Sequence, residues 1–222
     1  TYTVIGTDAN GCTGTDIVNV YVSPTATVTV NSTSICAGQS TTLTAVPSSG
    51  GGTFSWSPSG TNGSSLTVSP SSSTSYTVTY SLNGCNATAT GTVTVNPAPN
   101  INAGNDLALC LGQTAVLTAT GGTSYVWTNG ITNGTTFTPP LGTISYTVTG
   151  TNANGCTSTD VVSITVSSLP TANASFTPTT GTAPLLVDFT NLSSGATSYV
   201  WNFGNGQTAT TPTASNVSTT YP

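Results

Sequence analysis

Five aspartates, Asp8, Asp16, Asp106, Asp160 and Asp188, carry all the charged side chains of this 222-residue sequence, which has no Lys, Arg or His. General acid–base chemistry leans on His, Glu or Lys, phosphate and nucleic acid are held by Lys and Arg, and catalytic metals favour His. Asp16 and Asp160 occupy equivalent places, each four residues after a cysteine. A calcium site needs several converging oxygens, usually with more than one carboxylate. Asp8 lies near Asp16 across an expected hairpin, but Asn152 stands where a second copy of Asp8 would be, so only one repeat supplies the pair. Both read as solvated groups at strand ends, and Asp106 and Asp188 have no acid near them in sequence. The sequence therefore implies no catalytic, cofactor or metal residues, and argues against an enzyme and against a nucleic-acid binder.

Cysteine and tryptophan are the other candidates. Cys12, Cys36, Cys85, Cys110 and Cys156 form no C-x-x-C pair, and without His a zinc site is not expected. Widely spaced cysteines in a chain of small residues suggest structural disulfides and an oxidising, extracellular location. Trp56, Trp127 and Trp201 follow one another at steps of 71 and 74 residues. One Trp per step reads as the core anchor of each repeat in preference to a sugar-stacking platform. N-x-S/T triplets begin at Asn31, Asn62, Asn86, Asn133, Asn173, Asn191 and Asn216, and in a sequence this rich in Asn, Ser and Thr many arise by chance.

The tryptophan step belongs to a longer internal repeat. Tyr2-Thr-Val-Ile-Gly-Thr-Asp-Ala-Asn-Gly-Cys12 returns as Tyr146-Thr-Val-Thr-Gly-Thr-Asn-Ala-Asn-Gly-Cys156, with a looser copy from Tyr76 to Cys85. Cys36-Ala-Gly-Gln-Ser-Thr-Thr-Leu-Thr-Ala45 returns as Cys110-Leu-Gly-Gln-Thr-Ala-Val-Leu-Thr-Ala119. Four pieces follow: 1–22, the closing hairpin of a preceding domain; 23–96 and 97–169, two whole domains; and 170–222, a domain lacking its last strands. Pro24, Pro97, Pro99 and Pro170 mark short, stiff junctions. The sequence opens in mid-pattern and reads as part of a longer chain.

Charged residues are 2% of the chain, hydrophobic ones 35%, and mean hydropathy is +0.10. Apolar residues come in short alternating bursts, which separates the chain from one disordered by composition. No apolar run approaches the roughly 18 residues of a membrane span. In the first whole domain the alternation predicts strands over 26–30, 41–46, 53–56, 66–68, 76–80 and 92–95. Asn-Gly before Cys12, Cys85 and Cys156 predicts a tight turn between the last two strands of each copy. Gly50-Gly51-Gly52 reads as a hairpin tip, because no Lys follows it to make a phosphate loop. The expected fold is all-β, a tandem array of immunoglobulin-like β-sandwiches with the Trp on the third strand.

The C-x-G-Q-x-x-x-L-T-A segments, the lone Trp of each repeat and the Y-T-V endings that run to Gly-Cys resemble the Ig-like and PKD-type repeats of very large bacterial surface adhesins. The resemblance is especially to those of type IX secretion systems. Ala174-Ser-Phe-Thr-Pro178, Pro184-Leu-Leu-Val-Asp-Phe-Thr-Asn191 and Tyr199-Val-Trp-Asn-Phe-Gly-Asn-Gly206 look like a PKD domain, whose W-D-F-G-D-G signature carries Asn202 and Asn205 in place of both acids here. The resemblance implies a structural and adhesive protein of the bacterial cell surface, forming a rod or filament of stacked sandwiches. A chain without Lys or Arg also offers trypsin-like proteases nothing to cut, which suits an exposed fibre. The alternative is a set of carbohydrate-binding accessory modules of a secreted hydrolase. Expected partners are further copies joined head-to-tail or the continuation of a longer repeat chain, with surface glycans or other cells beyond them; no cofactor, nucleic acid or membrane span is expected.

Two disulfide pairings are open. One closes each whole domain, Cys36–Cys85 and Cys110–Cys156, and leaves Cys12 over. In an Ig-like strand order, however, Cys36 and Cys85 fall at opposite poles, separated by roughly 26 Å for an eight-residue strand at about 3.3 Å per residue. A disulfide needs Cα atoms within about 7 Å. The same order brings Cys36 towards Cys156 and gives Cys110 a partner equivalent to Cys12. The hairpin of 1–22 is also what 170–222 lacks, so the last domain is expected to be completed by strands equivalent to Thr1–Val22.

Overall fold

The computed structural model describes residues 1–22 and 25–222, so the expected boundary at Ser23 and the junction residue Pro24 lie outside the described residues. These residues form twenty β-strands, and the sole helical element among them is a 3-10 turn at Thr128–Gly130. They divide into two compact units, Thr1–Ala98 with Asn154–Cys156, and Pro99–Ala153 with Thr157–Pro222.

The first unit opens with a hairpin of β1 (Tyr2–Thr7) and β2 (Thr13–Val18), turned at Gly11, where φ is +80°. A sandwich of seven strands follows: β3 (Val28–Val30), β4 (Thr33–Cys36), β5 (Thr41–Pro47), β6 (Thr53–Ser57), β7 (Ser65–Val68), β8 (Thr74–Leu82) and β9 (Cys85–Asn96). One sheet has the order β3-β5-β7 and the other β4-β9-β8-β6. Alternation decides what each strand buries. Along β8, Tyr76, Val78 and Tyr80 turn inward, while Thr77 meets Thr90 of β9 hydroxyl to hydroxyl at 2.9 Å on the other face. Leu43, Trp56, Leu66 and Val93 complete that core. Tyr80 donates its phenol to the Ser49 carbonyl and accepts the Gly52 N–H at 3.1 Å, which pins the Gly-rich tip between β5 and β6. Strand β4 is short and polar, lies outside the expected segments, and pairs parallel to β9 with Cys36 opposite Asn96.

The second unit repeats the plan with β10 (Leu107–Cys110), β11 (Ala115–Val116), β12 (Ser124–Trp127), β13 (Thr136–Phe137), β14 (Gly142–Thr151) and β15 (Thr157–Ser167). The sheet orders are β10-β15-β14-β12 and β11-β13, and β10 is again parallel to its neighbour. Leu117, Trp127, Tyr146, Val148, Val162 and Ile164 fill the space between the sheets. The remaining strands are β16 (Ala174–Thr177), β17 (Leu185–Asn191), β18 (Tyr199–Asn202), β19 (Thr208–Thr211) and β20 (Val217–Tyr221), in sheets β16-β17-β20 and β18-β19. Both seven- and six-stranded assemblies are immunoglobulin-like sandwiches by strand order: hairpin-linked final strands, the Trp-bearing strand at one sheet edge, and antiparallel pairing except at the parallel strand beside the last one.

Candidate functional site

Trp56 on β6 and Trp127 on β12 are 1% and 4% exposed, and each indole N–H is satisfied: Trp56 donates to the Gly63 carbonyl at 2.9 Å, Trp127 to Asn133 Oδ1 at 3.0 Å. Asn133 Oδ1 also accepts the Ala119 N–H at 2.8 Å, so this triplet asparagine is committed inside the fold. Trp201 on β18 differs. It is only partly buried, and its Nε1 has no hydrogen-bond partner. Its neighbours are aromatic, with Phe189 at 5.9 Å and Phe203 stacked at 6.4 Å between ring centroids.

The structure joins Cys36 to Cys156, with Cα atoms 5.5 Å apart and a separation of 120 positions in sequence. Cys12, Cys85 and Cys110 are free and exposed. The backbone around Cys110 copies that around Cys36. The amides of Gln39 and Gln113 each donate to the preceding cysteine's carbonyl at 3.0 Å, and the amides of Ala37 and Leu111 each donate at 2.9 Å to the end of the neighbouring parallel strand, at Asn96 and Ser167. The turns bearing Cys12 and Cys156 also match, with φ of +80° at Gly11 and +78° at Gly155.

Every residue of β1 and β2 is exposed. Tyr2 pairs with Val18 and Val4 with Asp16, the register in which Tyr146 pairs with Val162 and Val148 with Asp160. Yet Tyr2 and Val4 are 70% and 63% exposed, whereas Tyr146 and Val148 are buried. Thr197-Ser-Tyr-Val-Trp201 is identical to Thr123-Ser-Tyr-Val-Trp127, a match that sequence comparison could have used to align the last domain with the one before it. In both, the tyrosine hydroxyl donates back three residues, Tyr125 to the Gly122 carbonyl at 2.7 Å and Tyr199 to that of Ala196 at 2.9 Å. β12 is covered on one edge by β14; β18 pairs with β19 alone among the described residues. Two openings lie in this last domain, about 470 Å³ beside Ala174, Tyr199 and Trp201 and about 380 Å³ beside Phe176, Phe189 and Tyr221.

The aspartates do not converge. Asp8 Oδ1 accepts the N–H groups of Asn10 at 2.9 Å and Cys12 at 2.8 Å within its own turn, and Asp16 Oδ1 accepts that of Ile17 at 2.8 Å. Asp106 Oδ1 accepts the Ser163 N–H at 2.8 Å. No group of three His, Cys, Asp or Glu forms among the described residues. Asp160 Oδ2 accepts the Ala103 N–H at 2.8 Å, and this bond, with a second from Val161, holds its carboxyl below the ordinary carboxylate range. A carboxylate with a lowered folded-state pKa contributes stability above its unfolded pKa, and that contribution is lost as pH falls through the folded value. The stability advantage of the wild type over Asp160→Asn is therefore expected at neutral pH and should shrink on acidification, read as urea midpoints across an acid series.

Asn202 and Asn205 build the turn after β18. Asn202 Oδ1 accepts the Gly204 N–H at 3.1 Å, and Asn205 Oδ1 accepts that of Gln207 at 3.0 Å. Asn205 Nδ2 donates to Thr219 Oγ1 at 3.1 Å and to the Thr220 carbonyl at 3.3 Å, a task no carboxylate performs. Asn205→Asp is expected to lower the stability of this domain by about 1–2 kcal/mol in thermal unfolding, since it leaves acceptors facing acceptors.

No family profile matches the sequence, and no curated protein does. Among solved structures, the chain is similar to the N-terminal eight Ig domains of Down Syndrome Cell Adhesion Molecule, at 13% identity and a TM-score of 0.39, covering 77% of this chain and 27% of that one. Sidekick-1 immunoglobulin domains 1–4 are similar at 16% identity and a TM-score of 0.36, covering 74% and 57%. The I67–I69 fragment of the titin I-band is similar at 11% identity and 0.36, covering 79% and 83%. The chain thus spans little more than a quarter of the first of these and over half of the second.

Proposed function

We propose that this chain is an extracellular structural and adhesive repeat protein, part of a rod or filament on a bacterial cell surface. Its modules divide at 1–22, 23–96, 97–169 and 170–222, the last of them PKD-like. The observation that carries the reading is the Cys36–Cys156 disulfide, which ties one repeat's parallel-strand end to the hairpin turn of the next copy of the motif, 120 residues on. A covalent clasp of that kind serves a chain under load and fits an oxidising compartment. Sheet faces carrying paired hydroxyls, such as Thr77–Thr90 at 2.9 Å and Thr143–Thr165 at 3.0 Å, give an uncharged surface suited to exposure.

One observation favours the carbohydrate-binding alternative: Trp201 and Tyr199 line the opening of about 470 Å³, and aromatic faces stack on sugars. Acrylamide quenching separates the two. The structural reading expects Trp56 and Trp127 to resist quenching in every condition, with no protection of Trp201 by oligosaccharides. Ready quenching of Trp56 and Trp127, or saturable protection of Trp201 by a glycan, favours the binding module instead.

A further inference from the structure

We propose that Asn62, in the loop between β6 and β7, is a self-modifying site at which the Gly63 amide nitrogen closes on the asparagine side chain and converts it to aspartate and isoaspartate. The argument comes from comparing two equivalent loops. Asn62 and Asn133 each follow the tryptophan of their sandwich by six positions, and each precedes a glycine. In the second sandwich Asn133 Oδ1 accepts both the Trp127 indole N–H at 3.0 Å and the Ala119 N–H at 2.8 Å, while the Gly134 N–H donates to the Leu117 carbonyl at 2.8 Å. In the first, main-chain carbonyls do that work. The Trp56 indole N–H donates to the Gly63 carbonyl at 2.9 Å, and the Ala45 N–H donates to that of Ser64 at 2.7 Å. The side chain of Asn62 and the N–H of Gly63 are exposed and take part in no hydrogen bond among the described residues.

The other asparagines that precede glycine are Asn10, Asn83, Asn129, Asn154 and Asn205, and the fold restrains each of them. The Gly11 N–H is committed to the Asp8 carbonyl at 3.0 Å. Asn83 and Asn129 are held left-handed, at φ of +51° and +60°, a conformation that puts the next amide across Cα from the side chain. Asn154 is engaged in its own turn. Asn205 is bonded through both side-chain atoms, Oδ1 to the Gln207 N–H at 3.0 Å and Nδ2 to Thr219 Oγ1 at 3.1 Å. Asn62 alone combines a free side-chain amide with a free amide on the glycine that follows, and no atom lies within 4 Å of where a Cβ on Gly63 would stand.

The chemistry needs only water. The Gly63 nitrogen attacks Asn62 Cγ, the bond from Cγ to Nδ2 breaks, and the side-chain nitrogen leaves as ammonia with the former Gly63 amide proton. Glycine favours this step because it has no Cβ to crowd the ring. Water then opens the succinimide at either carbonyl. Opening at Cγ leaves an aspartate, and opening at the main-chain carbonyl leaves an isoaspartate, whose backbone is one methylene longer. Either product takes the net charge one unit beyond −5. The longer backbone falls between two points tied to one tryptophan, since Thr61 accepts the Trp56 main-chain N–H at 2.9 Å and Gly63 accepts its indole N–H.

Peptide mapping of the 1–222 chain during incubation in mildly alkaline buffer tests this, with the same chain unfolded in urea alongside. In native buffer, conversion at Asn62 is expected to run at least about tenfold faster than at Asn133, whose hydrogen bonds must break before its ring can close. In urea the two rates are expected to converge, because each asparagine then simply precedes a glycine in an unfolded chain. The isoaspartyl species, separated by ion exchange, is expected to exchange its Trp56 indole N–H faster than the unmodified chain, with Trp127 unchanged. Equal native rates at Asn62 and Asn133, slower conversion at Asn62 than at Asn83 or Asn129, or a difference between Asn62 and Asn133 that persists in urea overturns the proposal.

Discussion

Trp127→Ala is expected to destabilise its sandwich by about 3–5 kcal/mol, the range for removing a buried aromatic from a packed core. The indole is 4% exposed and sits between sheets whose facing residues, Leu117, Val148 and Ile164, cannot close over the space it leaves. Its loss also takes one donor from Asn133 Oδ1, the atom that tethers Ala119. The corresponding change Trp201→Ala should cost clearly less, because that ring is only partly buried and its N–H bonds nothing. Urea titration of the two variants, followed by far-ultraviolet circular dichroism, measures the difference. Equal losses would mean that the tryptophan of the last domain is already packed like the others.

Gly121→Ala follows close behind, at about 2–5 kcal/mol. Gly121 has φ of +93°, a conformation costly for any residue with a Cβ. The added methyl would also collide with the backbone carbonyl oxygen of Asn100, which no side-chain rotation relieves. Next to it, Asn102 and Thr120 exchange two backbone hydrogen bonds of 3.1 and 3.0 Å, which join the chain's entry to this sandwich to the region before β12. Pushing Asn100 outward loosens that pair. Amide exchange at Asn102 and Thr120 should rise well before exchange in β14. Gly130→Ala, with positive φ of +70° but open space around its Cβ, is the control and should cost only the backbone strain.

The sandwich plan was legible because its signals are local. Alternation in Tyr76–Tyr80 and the Asn-Gly turns before Cys85 and Cys156 need no knowledge of distant residues, and the structure has those strands and turns. Strands β4 and β10 were not, because four residues such as Thr33-Ser-Ile-Cys36 carry no alternation, and their parallel partners lie some sixty residues away. Asp160 shows the same limit. Its place after Cys156 read as a solvated strand end, whereas it accepts the amide of Ala103, 57 residues earlier in the chain. The cysteines fell between these cases: two pairings were open, strand order weighed against closure within a domain, and the structure joins Cys36 to Cys156 with Cα atoms 5.5 Å apart. The likeness of β1–β2 to β14–β15 was visible in the segment from Tyr2 to Cys12 that returns from Tyr146 to Cys156, but the exposure of Tyr2 and Val4 was not, because it depends on what packs against them.

Stretching single 1–222 molecules by their termini, oxidised and reduced, tests the proposed structural role most directly. The Cys36–Cys156 bond routes force past a loop spanning 120 positions, which includes most of both complete sandwiches. The oxidised chain is therefore expected to withhold about 420 Å of contour, at about 3.5 Å per residue, that the reduced chain releases in discrete sandwich-unfolding steps. Equal contour lengths in the two states, or a smooth extension without steps after reduction, would contradict it.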